Sequence, residues 1–167
     1  MTVKEAFARS SNVAFAKMAD EYYHNQPMRF YNHLHALRLD TATGIDIVGA
    51  ASPYIKKPGS KYWTKTTLPF MAHGYEELVT PLQLLMLYNA VANNGKMMQP
   101  YLVNSINEMG REIKSFKPKV LIDKICSDET LAKVKACLTA VVQSEHGTGH
   151  ALETNVYSIA GKTGTAV

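Results

Sequence analysis

Residues 80 to 95 read TPLQLLMLYNAVANNG, and this stretch constrains the chain more than any other. Thr80 is a helix-capping type, Pro81 suits a first turn, and Gly95 is a natural stop. Between these punctuation marks apolar residues fall nearly all the way round the predicted helix. A helix apolar nearly all round is expected to carry the core. At 167 residues the chain is long enough for one domain around such a core.

The remaining elements are punctuated in the same way. A short helix over 3 to 8 is broken by Ser10-Ser11-Asn12, and a second follows from Val13 to Tyr23. Val13, Phe15, Ala16, Met18, Ala19, Tyr22 and Tyr23 cover most of the second helix, which predicts extensive burial. Pro27 opens a third helix reaching Arg38, with Phe30, Leu34 and Leu37 as one apolar stripe. Residues 40 to 67 read as loop, with a brief strand expected over Thr43 to Ile47. Two short strands around Glu108-Met109-Gly110-Arg111 predict a hairpin between Gln99 and Phe116. Ser127-Asp128-Glu129 starts a helix whose buried face is Leu131, Val134, Leu138 and Val141. A short helix or turn follows His146-Gly147-Thr148-Gly149, and Val156 to Val167 is expected to be a strand interrupted by glycines.

Composition excludes several function classes. No run of eighteen apolar residues spans a membrane, and the N-terminus lacks the apolar core of a signal peptide. The net charge of +4 comes from scattered lysines and arginines, loosely clustered at Lys56 to Lys65 and Arg111 to Lys124. No stacking aromatics interleave with the second cluster, so it reads as a solvated surface with no nucleic-acid partner, attraction to an anionic polymer or lipid being the alternative. Cys126 and Cys137 are eleven apart around one predicted helix, independent of each other, with at least one expected in the core. Six histidines lack carboxylates or cysteines at ligand spacing, and no metal site is expected.

The last ten residues, SIAGKTGTAV, contain Gly161-Lys162-Thr163 and invite a nucleotide reading. A phosphate-binding loop would need its first glycine at position 156, where Val156 stands. It would also need a helix immediately afterwards to present backbone amides, and Gly164-Thr165-Ala166 is no helix start. The same residues contain Lys162-Thr163-Gly164, the Lys-Thr-Gly element that in serine penicillin-recognising enzymes works with a Ser-x-Asn and a Ser-x-x-Lys. Average residue usage yields Lys-Thr-Gly by chance in roughly 4% of chains this long, and Ser-x-Asn in nearly half. Ser10-Ser11-Asn12 alone is therefore weak, and a helix cap explains it equally well. Its position between two helices, far upstream of a Lys-Thr-Gly that opens a strand, makes the pair informative.

His73-Gly74-Tyr75 through Val79-Thr80-Pro81-Leu82-Gln83 resembles the GY…VTPLQ segment of class B penicillin-binding proteins, the monofunctional peptidoglycan transpeptidases. Thr43-Gly44-Ile45-Asp46, Ala90 to Lys96, Pro100 and Gly147-Thr148-Gly149 with Ala151 are similar to further family segments in the same order. The resemblance covers essentially all of 1–167 and is closer to the division-specific, septal type. It implies an α+β parent, a helical lobe against an antiparallel sheet with the site between. This chain would be a partial serine β-lactamase/transpeptidase-like fold, mostly helical with short strands and an incomplete sheet. Two loops depart from the pattern: Glu76 stands where glycine is frequent, and Val48-Gly49-Ala50 where Pro-Gly-Glu is usual.

The resemblance also implies roles. Ser10 would relay protons, Asn12 would hold the substrate amide and the motif lysine, and Lys162 would supply positive charge at the site. Thr163 and Thr165 would bind the terminal carboxylate of a D-Ala-D-Ala peptide or the acid group of a β-lactam, and Gly164 would permit close approach of substrate. The Thr165 amide would be one oxyanion donor. For Lys162 the plain alternative is a strand-edge charge against aggregation. Tyr75 is open between lining the acceptor side and packing. No serine has lysine three positions later: Ser10 meets Val13, Ser60 meets Trp63, Ser115 meets Pro118 and Ser158 meets Gly161. The nucleophile motif is thus expected upstream of Met1, and the chain alone is expected to be inactive. The resemblance implies no cofactor, stem peptides, β-lactam antibiotics and cell-division proteins as partners, and the extracytoplasmic side of a bacterial membrane, with the parent's anchor helix outside this chain. Two alternatives stay open, a β-lactam sensor of the same fold and a nucleotide-binding module.

Overall fold

The computed structural model describes residues 1–164. In chain order the elements are α1 (Val3–Ala8), α2 (Asn12–Tyr23), α3 (Pro27–Ala36), β1 (Tyr54–Ile55), α4 (Thr67–Met71), β2 (Glu77–Leu78), α5 (Pro81–Ala92), β3 (Met97–Met98), β4 (Ser105–Glu108), β5 (Arg111–Ser115), β6 (Val120–Ile122) and α6 (Asp128–Gln143), with a 3₁₀ turn at His150–Leu152. Among the described residues the strands form three separate antiparallel pairs, β1 with β2, β3 with β6 and β4 with β5. No helix among the described residues is long and apolar enough to cross a membrane. The chain divides into two compact units, one built from 1–30, 56–76 and 127 onward, the other from 31–55 and 77–126.

The first unit is helical. Thr2 and Glu5 cap α1 reciprocally: the Glu5 N–H donates to Thr2 Oγ1 at 3.2 Å and the Thr2 N–H to Glu5 Oε2 at 2.7 Å. Ala6 and Ala8 are buried where α1 packs on α6. Helix α6 opens at its Ser127 cap with Asp128 and Glu129 favourably placed in the first turn. Its buried side is Leu131, Leu138, Ala140, Val141 and Val142, whereas Val134 is only half-buried. Beyond α6 the chain turns back so tightly that a Cβ on Gly147 would stand 2.2 Å from the Val141 carbonyl oxygen. The Gly149 N–H then donates to Val141 O at 3.0 Å, and the Gly161 N–H to Leu138 O at 3.2 Å. These two bonds lay the segment after α6 along that helix.

Helix α2 packs on α4. Ala19, Leu68 and Met71 are buried, and so is Thr67, whose hydroxyl accepts from the Thr64 N–H at 3.0 Å. The expectation that α2 is largely buried does not hold. Only Ala19 is fully covered, while Val13 and Tyr22 are 66% and 69% exposed. One neighbouring helix can cover only one stripe of it.

The second unit holds α5 and all the strands. Met86, Ala90 and Met97 form its core, with Leu87, Leu121, Ile122 and Ile125 packed against them. Burial of each such large side chain contributes about 1.5–3 kcal/mol. The core does lie on α5, but only one side of that helix is enclosed. Leu84, Leu85 and Tyr88 remain 45%, 63% and 39% exposed. Gln83 is 3% exposed and fully used. Its Oε1 accepts from the Thr80 N–H at 2.9 Å, and its Nε2 donates to Leu39 O and Thr41 O, both at 3.0 Å. The same loop is fixed by Asp40, which accepts from Tyr31 Oη at 2.9 Å and Thr41 Oγ1 at 3.1 Å and lies 2.8 Å from His35 Nδ1. Burial pushes the Asp40 carboxyl up, but hydrogen bonds from His35, Tyr31 and Thr41 outweigh it and hold it below the usual range.

Several expected elements changed. Thr43 to Ile47 is not a strand, because the Gly44 carbonyl takes the Gln99 side-chain amide at 2.8 Å in place of a ladder partner. The hairpin formed as expected, with Met109 and Gly110 at φ 47° and 81° in a left-handed turn. Residues 156 to 164 are not in a strand; residues 165 to 167 of that expectation lie outside the described residues. Cys126 and Cys137 are free, as expected, but both are half-buried and neither is in the core.

Candidate functional site

The site begins at the junction of α1 and α2, where three consecutive polar residues take three different positions. Helix α1 ends with two reverse bonds, Ser10 N–H to Phe7 O at 3.1 Å and Ser11 N–H to Ala6 O at 2.9 Å. This closure requires a left-handed residue, and Ser10 supplies it at φ 53°, where glycine is the unstrained choice. Ser11 is the cap of α2, its hydroxyl accepting from the Ala14 N–H at 3.3 Å. Asn12 is the first residue of α2 and is exposed. The capping duty therefore falls on the middle residue, and the outer two side chains are left facing a cavity.

That cavity measures about 460 Å³ and is lined by Phe7, Ser10, Asn12, Phe15, Ala72, His73, Tyr75, Lys162, Thr163 and Gly164. Lys162 reaches Ser10 across 152 residues of sequence, its Nζ donating to Ser10 Oγ at 2.7 Å. The same ammonium donates to Thr163 O at 3.0 Å and lies 3.3 Å from Thr163 Oγ1. It stands 6.0 Å from the centroid of the Phe7 ring. Burial lowers the Lys162 pKa, since the charged form loses water. Because Ser10 Oγ accepts from Lys162, its own proton is left for another acceptor.

Little in the sequence marked two further residues, His73 in the cavity lining and Thr148 bonded to Thr163. Thr148, noted only within Gly-Thr-Gly, has its hydroxyl 2.7 Å from Thr163 Oγ1, and both its N–H and its hydroxyl donate to Ala8 O, at 3.0 and 3.3 Å. It ties the end of α1 to the Lys-Thr-Gly segment. His73 packs edge-on against Phe70 and Tyr75, with centroids 5.7 and 5.2 Å away. Only a quoted motif pointed to either residue, since nothing in local periodicity marks them. Tyr75 both packs on its aromatic neighbours and lines the cavity. A Cβ on Gly164 would meet nothing within 4 Å, so the space above it is open. Thr165 lies outside the described residues. Five of the six expected site residues are thus brought to one cavity.

A family model described as the penicillin-binding protein transpeptidase domain matches residues 1–167. The chain belongs to that family. It is similar to the penicillin-binding protein PbpB of Mycolicibacterium smegmatis, at 29% identity over 99% of this chain and 25% of that protein. Penicillin-binding protein 3 of Mycobacterium tuberculosis, solved in complex with aztreonam, superposes with a TM-score of 0.81 at 26% identity, covering 99% of this chain and 37% of that one. Penicillin-binding protein 2B of Streptococcus pneumoniae superposes with a TM-score of 0.81 at 25% identity, over 99% of this chain and 30% of that one. The chain spans about a quarter of the length of the curated relatives it matches. These are class B proteins, and the mixed helices and short strands, without a closed sheet among the described residues, are part of their transpeptidase fold.

Family membership gives the Glu76 departure a physical meaning. Glu76 sits at φ 62°, the left-handed region in which glycine carries no penalty. Its carboxylate pairs with Lys56, and that hydrogen bond, against a smaller opposing effect of burial, lowers its pKa. The Val48-Gly49-Ala50 departure is a surface turn, with Gly49 at φ 81° and Val48 fully exposed.

Proposed function

We propose that this chain is part of a peptidoglycan D,D-transpeptidase of the division-specific type, acting through a serine acyl-enzyme on the extracytoplasmic side of a bacterial membrane. The observation that carries the reading is the 2.7 Å contact from Lys162 Nζ to Ser10 Oγ inside a cavity shared with Asn12, Thr163 and Gly164. In this reading Ser10 passes a proton between the nucleophile's lysine and the leaving amine. Lys162 orients Ser10 and attracts the terminal carboxylate of the stem peptide. Asn12 holds the amide carbonyl, and Thr163 and Thr165 bind the carboxylate. Gly164 leaves room for the substrate backbone beside them. β-Lactams would be taken by the same groups, as the aztreonam and ampicillin complexes of a relative support. No metal or cofactor enters this chemistry.

The 167 residues contain no Ser-x-x-Lys, so the chain supplies relay, amide holder and carboxylate anchor for a nucleophile it does not carry. We expect a fluorescent penicillin to label the full-length protein and not this chain by itself. In the full-length protein Lys162→Ala and Ser10→Ala should each slow acylation by about 10²–10⁴-fold with the fold retained. Stable covalent labelling of the isolated chain, or wild-type acylation in both variants, would contradict the assignment.

A further inference from the structure

A second cavity of about 410 Å³ opens in the same unit, lined among others by Asp20, His24, Trp63, Thr64 and Lys65. The end of α2 and the start of α4 meet here, whereas the start of α2 and the residues just after α4 line the Ser10–Lys162 cavity. The two cavities thus occupy opposite ends of one antiparallel helix pair. Trp63 is the chain's single tryptophan, and it is half-buried at this cavity. Asp20 and His24 face each other at 3.5 Å and remain 54% and 67% exposed, so their polar atoms are available to a ligand. An indole beside a carboxylate, an imidazole, a hydroxyl and an ammonium suits a sugar ring. The C–H face of the ring packs on the negative π surface, while its hydroxyl and acetamido groups meet the polar rim.

Distance links this cavity to the first. From Asn12 to His24 the helical rise is about 18 Å, and five extended residues span about 17 Å. A stem peptide held beside Asn12 has the length to bring its glycan-bearing end to the His24 end of α2, at the cavity that Trp63 lines. We propose that the Trp63 cavity is a saccharide subsite holding an N-acetylhexosamine of the glycan strand that bears the stem peptide. The glycan's connection to the first site rests on the transpeptidase reading above; the sugar-binding chemistry of the cavity does not.

The single tryptophan makes the test direct. Titrating the chain with tetra-N-acetylchitotetraose, a peptide-free oligomer, should change Trp63 fluorescence saturably. Asp20→Ala should weaken that binding about tenfold, the loss of one hydrogen bond to a charged group. Calorimetry with the full-length protein should reproduce this, with Trp63→Leu losing binding and Trp63→Phe retaining part of it. A flat titration, or equal binding by wild type, Asp20→Ala and Trp63→Leu, overturns the subsite. Penicillin labelling of the full-length protein separates the two readings. Labelling with a flat sugar titration removes the subsite alone; sugar binding without labelling removes the transpeptidase reading and leaves the subsite standing.

Discussion

Ser10, Ser11 and Asn12 divide the labour of one turn, and single atoms elsewhere are equally committed. Gly147 is the tightest case: a methyl group there would stand 2.2 Å from Val141 O and 2.8 Å from Ala140 O. Both are backbone atoms that cannot swing aside. Gly147→Ala is expected to destabilise the first unit by about 1–3 kcal/mol, read as a lowered urea midpoint with the m-value unchanged. Glu77 governs a different variable. Burial raises its carboxyl to about 7 from 4.5, so between those values the native state holds a proton that the unfolded chain has released. Stability from this group is present below the unfolded value and is lost as pH rises through about 7. Asp40 and Glu76 act with the opposite sign, since both carboxyls are held low and their contribution disappears only as pH falls through their folded values. Urea unfolding between pH 5 and 8 should therefore show stability declining with pH, and Glu77→Gln should flatten that slope.

Elements were legible wherever their ends were punctuated. Thr80-Pro81 marks α5 and Ser127-Asp128-Glu129 marks α6, and the structure places caps at both. Met109-Gly110 marks the hairpin, because only a left-handed pair closes so short a turn. What could not be read is set by distant partners. β1 and β3 are two residues long and exist only because Glu77–Leu78 and Val120–Ile122 pair with them. Helix α4 is five residues around Pro69, too short to show a period. Motifs pointed to the residues that share the cavity but not to their division of contacts, and the bonds of Thr148 depend on segments 140 and 15 residues away. Gln83 shows how one residue serves both scales, completing the α5 cap and holding the 39–41 loop. Gln83→Ala should cost about 2–4 kcal/mol, against about 1 kcal/mol for Thr80→Ala. Chemical denaturation of the two variants side by side checks this ratio; equal losses would mean that the loop bonds contribute nothing.

At the scale of the whole molecule, the first unit is assembled from three stretches of sequence, and the site needs all of them. Ser10 comes from the first, Tyr75 and His73 from the second and Lys162 from the third. Such long closures are slow to form and are held by few bonds, so each tie between stretches matters more than a bond within a helix. Thr148 is such a tie, linking Ala8 O to Thr163 through one hydroxyl. Thr148→Val keeps the shape and the backbone N–H to Ala8 O but removes both hydroxyl contacts. The Gly161 N–H, bonded to Leu138 O at 3.2 Å, then reports whether the following segment has loosened. Its hydrogen exchange should accelerate about tenfold, the equivalent of about 1.4 kcal/mol of local opening, while amides in the middle of α5 keep their protection. In the full-length protein the same substitution should slow penicillin acylation without lowering the global unfolding midpoint to the same degree. Unchanged exchange at Gly161 would mean that α6 alone holds the Lys-Thr-Gly segment against Ser10.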